Sequence, residues 1–384
     1  MEGFVHPDFT SVADMLRKLT TKRKSAGGAA VAVYHHGELV VDAWTGQRDA
    51  AGSPWDRDTM AISFSTTKGV VATVAHRLAD RGELEYDELV TTYWPEFATH
   101  GKADITVRHL LTHRAGLHAI RSMVPSAEAL LDWDKMVALL ADSTPAWEPG
   151  SRSGYHAITY GWLVGEVIRR VTGLTVNEAV QREIVEPLGL DSMFVGAPES
   201  ERGRTADLLF DPRAERRLMS TFDRLERFDR YKPLVDALVV DDLIDVFRTH
   251  RVHDGEIPAA NGVFTARDLA RMYGALATPD DFAEPPLLSA TTVAEATRIQ
   301  ATGRDAVVMF PMRWRLGYHL AGTTAGILPK GFGHFGFGGS GAWGDPETGL
   351  AVAMVLNQVG GTPFGDTRLL RVGGAAVRAA KRRI

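Results

Sequence analysis

Two short apolar hairpins, lying some 300 residues apart, constrain the fold of this chain more than any other feature. Residues 29–34 and 39–44 are extended runs on either side of His35-His36-Gly37-Glu38. Residues 341–344 and 350–357 flank the turn Asp345-Pro346-Glu347-Thr348-Gly349. Their apolarity is partly continuous, as in strands covered on both faces. A helical period over 10–20, carried by Val12, Met15, Leu16 and Leu19, precedes the first hairpin. A helix over 369–381 follows the second, and 313–320 reads as a further strand. Two helix-plus-hairpin modules can bury these runs by combining into one antiparallel sheet with helices on its faces. The middle of the chain is then an insertion, and the fold class is α+β, an α/β/α sandwich.

The insertion reads as mostly helical. Val71, Val74 and Leu78 form a stripe over 68–81, with Gly82 placed to stop it. Ile158, Trp162, Gly165 and Ile168 form another over 155–171, ending at Gly173, and 107–111 and 176–184 are shorter helices. Thr265 is placed to cap a helix with Asp268 three residues on. Over 202–252 charge is dense, and Leu218, Phe222 and Leu225 are spaced i, i+4, i+7. That spacing gives a solvated amphipathic helix, with a lid or a partner surface as the alternative use. Residues 1–384 are read as one unit, with sheet-bearing parts at 1–60 and 300–384 and a mainly helical part at 61–299, in which a lid around 202–252 is the alternative to a solvated helix.

Composition excludes several function classes. The 43 Lys and Arg against 48 Asp and Glu leave a formal charge of -5, so no global field draws the chain to nucleic acid or an anionic membrane. There is no cysteine, which removes disulfides, thiolate nucleophiles and cysteine-ligated metals. The continuous apolar stretch 350–356 is far too short to span a bilayer. The opening residues lack a basic segment followed by an apolar one, so a cytoplasmic protein is expected. Gly37, Gly101 and Gly255 sit in neither a P-loop nor a Rossmann pattern and read as turn formers. His109 and His113 are i, i+4 without a completing ligand, and His250-Arg251-Val252-His253-Asp254 matches no metallo-hydrolase pattern. No metal, cofactor or nucleic-acid partner is expected, and a homo-oligomer is left open.

Chemistry enters at Ser65-Thr66-Thr67-Lys68. Three residues apart at a helix start, Ser65 and Lys68 share one face, with Cβ atoms roughly 5–6 Å apart. A serine hydroxyl needs a base, and lysine serves as one only when its pKa is lowered. The same spacing also describes a capping serine beside an exposed lysine.

Further motifs give the spacing a context. Ser63-Phe64-Ser65-Thr66-Thr67-Lys68-Gly69, then residues 107–117 with Leu110, Leu111, His113, Gly116 and Leu117, resemble the serine beta-lactamase, penicillin-binding-protein and esterase superfamily. The resemblance is closest to the class C-like carboxylesterases of family VIII and covers roughly residues 29–360. Ala115 stands at that segment's usual serine. After the turn Trp147-Glu148-Pro149-Gly150, Tyr155-His156-Ala157 stands where the family has Y-x-N. The resemblance implies Tyr155 as general base or proton relay, its phenol lowered by a nearby ammonium. His334, Phe335 and Gly336 stand at the K-T-G positions, within the run 332–340.

What the resemblance implies is a beta-lactamase/transpeptidase-like fold and serine acyl transfer. Ser65 is the nucleophile, assisted by Lys68 and Tyr155. The backbone N–H groups of Ser65 and Phe337 hold the oxyanion, while His334, Phe335, Gly336 and Gly338 line the substrate. Replacing a lysine by His334 removes a permanent cation, and Ala157 removes an amide, so neutral small-molecule esters are favoured over carboxylate-bearing lactams. A beta-lactamase, a D-amino-acid peptidase or other amide hydrolase, and a catalytically silent ligand-binding homologue are the alternatives. An α/β-hydrolase is not, because no G-x-S-x-G elbow occurs. Trp147, Trp314, Phe335, Phe337 and Trp343 are candidates for an aromatic pocket.

Overall fold

A computed structural model describes residues 1–21, 27–360 and 366–383. Nine antiparallel strands form its main sheet, in the spatial order Glu2–Val5, Glu38–Gly46, Gly28–His35, Leu350–Leu356, Gly341–Asp345, Gly326–Phe335, His319–Thr323, Pro311–Trp314 and Ala301–Arg304. The two distant hairpins meet between its third and fourth strands, from Ala29 opposite Leu356 to His35 opposite Leu350.

The continuous apolarity of these strands follows from burial on both faces. Ala30, Ala32, Tyr34, Ala351, Ala353 and Val355 face a large core shared with the helices of the insertion. Their alternates Val31, Val33, Val352 and Met354 face a second core with Phe9, Val12, Leu16, Leu369 and Val372. Each Val or Met buried this way contributes roughly 1.5–3 kcal/mol. The helices Thr10–Thr21 and Arg368–Arg383 pack on one another and close that second face. Helix Ala266–Ala277 lies on the first, capped by the Thr265 side chain, which accepts from the Asp268 amide. The Asp268 carboxylate does not cap in return; it accepts from the amides of Asp191 and Ser192.

Three segments differ from the sequence reading. The run 313–320 is two strands, because the chain reverses between Trp314 and His319. Gly317 makes the reversal at φ +69°, donates to the Leu111 carbonyl, and would place a Cβ only 2.2 Å from that of Ala72. The helix expected over 155–171 is Tyr160–Thr172. Residues 155–159 stay out of it because their polar groups are engaged elsewhere: the Tyr155 amide with Asp305, the His156 amide with His113, and the Ala157 carbonyl with Lys68. The segment 176–184 is a short α-helix, Val176–Val180, that runs into a π-turn, Gln181–Val185.

Within 202–252 lie the helices Pro212–Glu226, Lys232–Leu238 and Leu243–Arg248. Phe222 is buried, and Leu218 and Leu225 are half-buried on the same face. Among the described residues no helix is long and apolar enough to cross a membrane.

Candidate active site

A small sheet of Ala61–Ile62, Gly262–Phe264 and Met193–Val195 delivers the chain to Ser65. The Ser63 amide donates to the Gly262 carbonyl at 2.8 Å. The Thr67 hydroxyl accepts from the Gly262 amide at 2.9 Å and donates to the Phe64 carbonyl at 2.6 Å. These ties fix the entry to helix Thr66–Asp80, which starts two residues before the expected 68. Phe64, just before the serine, sits in the left-handed region at φ +46°. Ser65 occupies the N-cap position, yet its hydroxyl makes no capping bond.

That hydroxyl instead faces Lys68, whose Nζ lies 3.0 Å from Ser65 Oγ. Lys68 is fully buried, so the exposed-lysine alternative does not apply. Its Nζ also donates to the carbonyls of Ala157 at 2.6 Å and Ala259 at 3.0 Å. Among the described residues no carboxylate pairs with it, and burial drives its pKa well below the usual lysine value. A neutral amine has two N–H bonds and one lone pair. With both N–H bonds taken by carbonyls, the lone pair is left for the Ser65 proton.

Tyr155 completes the constellation from the non-helical segment. Its ring is stacked on Trp314 with centroids 5.6 Å apart at 7°, and Lys68 Nζ lies 5.0 Å from the Tyr155 ring centroid. Burial raises the pKa of the phenol, and its hydrogen bond with Ser65 only partly opposes this. The shift runs opposite to that expected of a phenol beside an ammonium. Desolvation works against the charged forms of both groups, so the Tyr155 hydroxyl keeps its proton and is a donor at neutral pH.

The 336–340 loop meets this group from the sheet. Gly336 lies so close to the serine's segment that a Cβ would fall 2.2 Å from the Ser63 carbonyl oxygen. Only a glycine permits this approach. The Gly338 carbonyl, at a residue with φ +80°, accepts from Arg368, which is held by Asp366. Among the described residues neither the Ser65 nor the Phe337 backbone N–H has an acceptor.

His334 is buried, with its ring 6.1 Å from that of Tyr155. Its Nδ1 donates to the Phe335 carbonyl, and its buried Nε2 has no partner among the described residues. Desolvation, with His319 and Lys68 nearby, pushes its pKa well below the ordinary histidine value. The imidazole is therefore neutral, with a lone pair on Nε2. Phe335 alternates away: its ring packs against the second core and edge-on to His319 at 4.7 Å. Of the other aromatic candidates, Trp314 and Phe337 border the site, Trp147 stacks on His118, and Trp343 is fully buried in the second core.

Sequence reasoning missed several supporting groups. Asp305 accepts from the Tyr155 amide at 3.0 Å and from Trp314 Nε1 at 3.1 Å, so one carboxylate orients both stacked rings. Three further buried imidazoles belong to the same neighbourhood. His113 accepts from the His156 amide and packs on Tyr155, His156 accepts from the Leu117 amide, and His319 accepts from the Phe335 amide. His113 lies in a motif quoted above; Asp305 carries no local signal. His109 helps cap helix Val107–Leu111 with Thr106. Among the described residues no group of His, Cys, Asp and Glu is arranged to hold a metal ion. A hollow of about 510 Å³ beside Trp133, Arg169 and His253 touches none of Ser65, Lys68 and Tyr155.

Known proteins match this chain along most of its length. The family model described as beta-lactamase matches residues 12–376. The chain is 40% identical over 368 residues to the esterase/beta-lactamase LipL of Mycobacterium tuberculosis, covering 93% of this chain and 83% of that protein. A crystal structure of a family VIII carboxylesterase superposes with a TM-score of 0.84 at 35% identity, covering 100% of this chain and 99% of the other. A penicillin-binding-protein homologue from Caulobacter crescentus gives a TM-score of 0.86 at 35% identity, covering 98% and 99%. With a family model spanning residues 12–376 and a relative 40% identical over 93% of the chain, this chain belongs to the beta-lactamase family.

Proposed function

We propose that the chain is a serine carboxylesterase that cleaves neutral esters through an acyl-enzyme on Ser65. The observation that carries this reading is the buried Lys68 amine, its pKa driven well down by desolvation, 3.0 Å from Ser65 Oγ and hydrogen-bonded to two carbonyls. The Ser65 oxygen attacks the ester carbonyl as its proton passes to Lys68 Nζ. Negative charge developing on the carbonyl oxygen is held by the N–H groups of Ser65 and Phe337, helped by the helix N-terminus. Tyr155, protonated, donates to the departing alkoxide and is recharged from Lys68. Water then attacks the acyl-enzyme, giving its proton to the same amine, which returns it to Ser65 Oγ as the acid leaves. Esterase names among the relatives support the substrate class.

His334 and Ala157 support a preference for neutral esters. A neutral imidazole offers no fixed positive charge to a substrate carboxylate, and Ala157 offers no amide. Lactam hydrolysis is a second, weaker activity in this reading, supported by the double name of the mycobacterial relative. Residues 1–384 act as one catalytic unit, since the helix bearing Ser65 packs into the core that also lines the sheet.

The test is covalent labelling with a neutral fluorophosphonate, read by intact mass and peptide mapping, beside turnover of p-nitrophenyl butyrate. The wild type is expected to take one adduct on Ser65. Ser65→Ala should keep its melting transition and lose at least ~10³-fold in turnover. Near-wild-type turnover by a folded Ser65→Ala variant would remove the serine from the mechanism.

A further inference from the structure

Within the segment 202–252, Phe247 touches the residue that precedes the serine. Phe247, buried on helix Leu243–Arg248, lies parallel to Phe64 with centroids 5.6 Å apart at 7°. Phe337 meets the same Phe64 ring edge-on, again at 5.6 Å. Phe64 precedes the serine, and Phe337 carries the second proposed oxyanion donor. Three rings from three distant parts of the chain therefore converge on the peptides that carry both N–H groups.

Backbone geometry shows why the stack matters. The Ser65 N–H belongs to the planar Phe64–Ser65 peptide, and a trans peptide points its N–H opposite to its C=O. Thr67 fixes the Phe64 carbonyl on the helix side through its amide at 2.9 Å and its hydroxyl at 2.6 Å. The N–H is thereby turned away from the helix, at the cost of a left-handed φ at Phe64. A bulky residue stays in that region only when its surroundings over-determine it. The Phe247 and Phe337 rings supply that constraint.

Phe247 is itself anchored from outside. Arg248 pairs with Glu215 on helix Pro212–Glu226, and its guanidinium lies 4.9 Å from the Phe210 ring centroid. The strand Leu209–Phe210 pairs with Gln358–Val359, and a Cβ on Gly338 would meet Val359 at 3.3 Å. The anchor and the oxyanion loop thus rest on the two paired strands of one small sheet.

We infer that Phe247 is a positioning residue: its ring holds Phe64, and through Phe64 and Phe337 it holds the two oxyanion N–H groups in register. This rests on the acyl-enzyme reading above. The role differs from that of a pocket wall. A wall acts on KM and depends on acyl length; a clamp on the oxyanion donors acts on kcat for every acyl chain.

The test compares Phe247→Ala, Phe247→Leu and Arg248→Ala in the full chain, by kcat and KM on p-nitrophenyl acetate and butyrate. Melting temperature and the rate of fluorophosphonate inactivation are measured alongside. Phe247→Ala should lower kcat about 10-fold or more on both esters, short of the ~10²-fold loss for removing a donor outright. KM should stay within about 3-fold. Inactivation should slow in step, and Phe247→Leu, which keeps most of the bulk, should recover kcat to within about 3-fold. Arg248→Ala loosens the anchor from the protein surface and should lower kcat about 3-fold, with KM unchanged; it decides the matter alone if Phe247→Ala does not fold. Unchanged kcat in the folded variants, or a loss confined to KM on butyrate, overturns the proposal. Absence of Ser65 labelling in the wild type sinks the acyl-enzyme reading, whereas a labelled wild type with an indifferent clamp sinks only this one.

Discussion

Substituting Gly336 by alanine tests the oxyanion loop directly. The added Cβ would lie 2.2 Å from the Ser63 carbonyl oxygen, 2.9 Å from Thr66 Oγ1 and 3.2 Å from the Ser63 carbonyl carbon. All three atoms belong to the segment that carries Ser65. Restoring even a tight contact needs about 1 Å of separation between loop and serine. The loop cannot swing freely to absorb it. The Gly336 amide donates to the Ser340 carbonyl at 2.8 Å, and Arg368 holds the Gly338 carbonyl. A 1 Å misplacement of reacting groups costs about 10²-fold, or about 2.7 kcal/mol of transition-state stabilisation. Gly336→Ala should therefore lose about 100-fold in kcat/KM on p-nitrophenyl butyrate, after subtraction of spontaneous hydrolysis, and keep a cooperative melt. Gly322→Ala in the same sheet is the control, since a Cβ there meets nothing within 4 Å. If folded Gly336→Ala works within about 3-fold of wild type, the loop does not present a catalytic N–H.

Lys68→Met and Tyr155→Phe should each cost ~10²–10⁴-fold in acylation. In the double variant the losses should fall well short of their product, because Ser65, Lys68 and Tyr155 form one proton network; strictly additive energies in the cycle would show two independent roles. Activity should decline as pH falls through the depressed pKa of Lys68, because the protonated amine has no lone pair for the serine, and Lys68→Met should lose that acidic limb. Stability should also fall in mild acid. His76, His118 and His319 are pushed down to about 4 and His156 to about 3 by burial, so they stay neutral in the folded chain while the unfolded chain protonates near 6.5. Their stabilising contribution is complete above pH 6.5 and is lost as pH falls toward the folded values. Together they account for about 4 kcal/mol between pH 6.5 and 5.5, and a melting temperature flat across that interval would refute it. Benzylpenicillin should be turned over with at least ~100-fold lower kcat/KM than p-nitrophenyl butyrate, the loss of one buried charge-assisted contact being worth ~10–150-fold. Comparable efficiency at pH 7 would mean that another cation binds its carboxylate.

Much of the fold is readable because its signals are local. The hairpins, the Gly173 stop and the Thr265 cap depend on a few adjacent residues, and each forms where those residues direct. The i, i+3 relation of Ser65 and Lys68 is equally local. What decides between a capping serine and a reactive one is not: the two carbonyls on Lys68 come from Ala157 and Ala259, 89 and 191 residues away. The same distance hides the late start of the helix after Tyr155, because the groups that hold residues 155–157 out of it lie on other elements. Gly317 splits a strand for a reason written at Ala72. Imidazoles such as His319 are polar in a residue list and neutral wedges in the core, since burial sets their charge.

The pairing of Gly28–His35 with Leu350–Leu356 also has a cost in time. A ribosome adding 5–20 residues per second makes the second strand roughly 15–60 s after the first. For that interval Ala29–Tyr34 has a partner on one edge, through its own hairpin, and an open apolar edge on the other. Contacts this distant in sequence also slow folding, because loop closure precedes any compensating burial. This interior strand of the finished sheet is thus an exposed template for mispairing while the chain is being made. Expression at lower temperature, or with a chaperone that shields apolar strands, should raise the soluble yield of this protein more than any change to its surface.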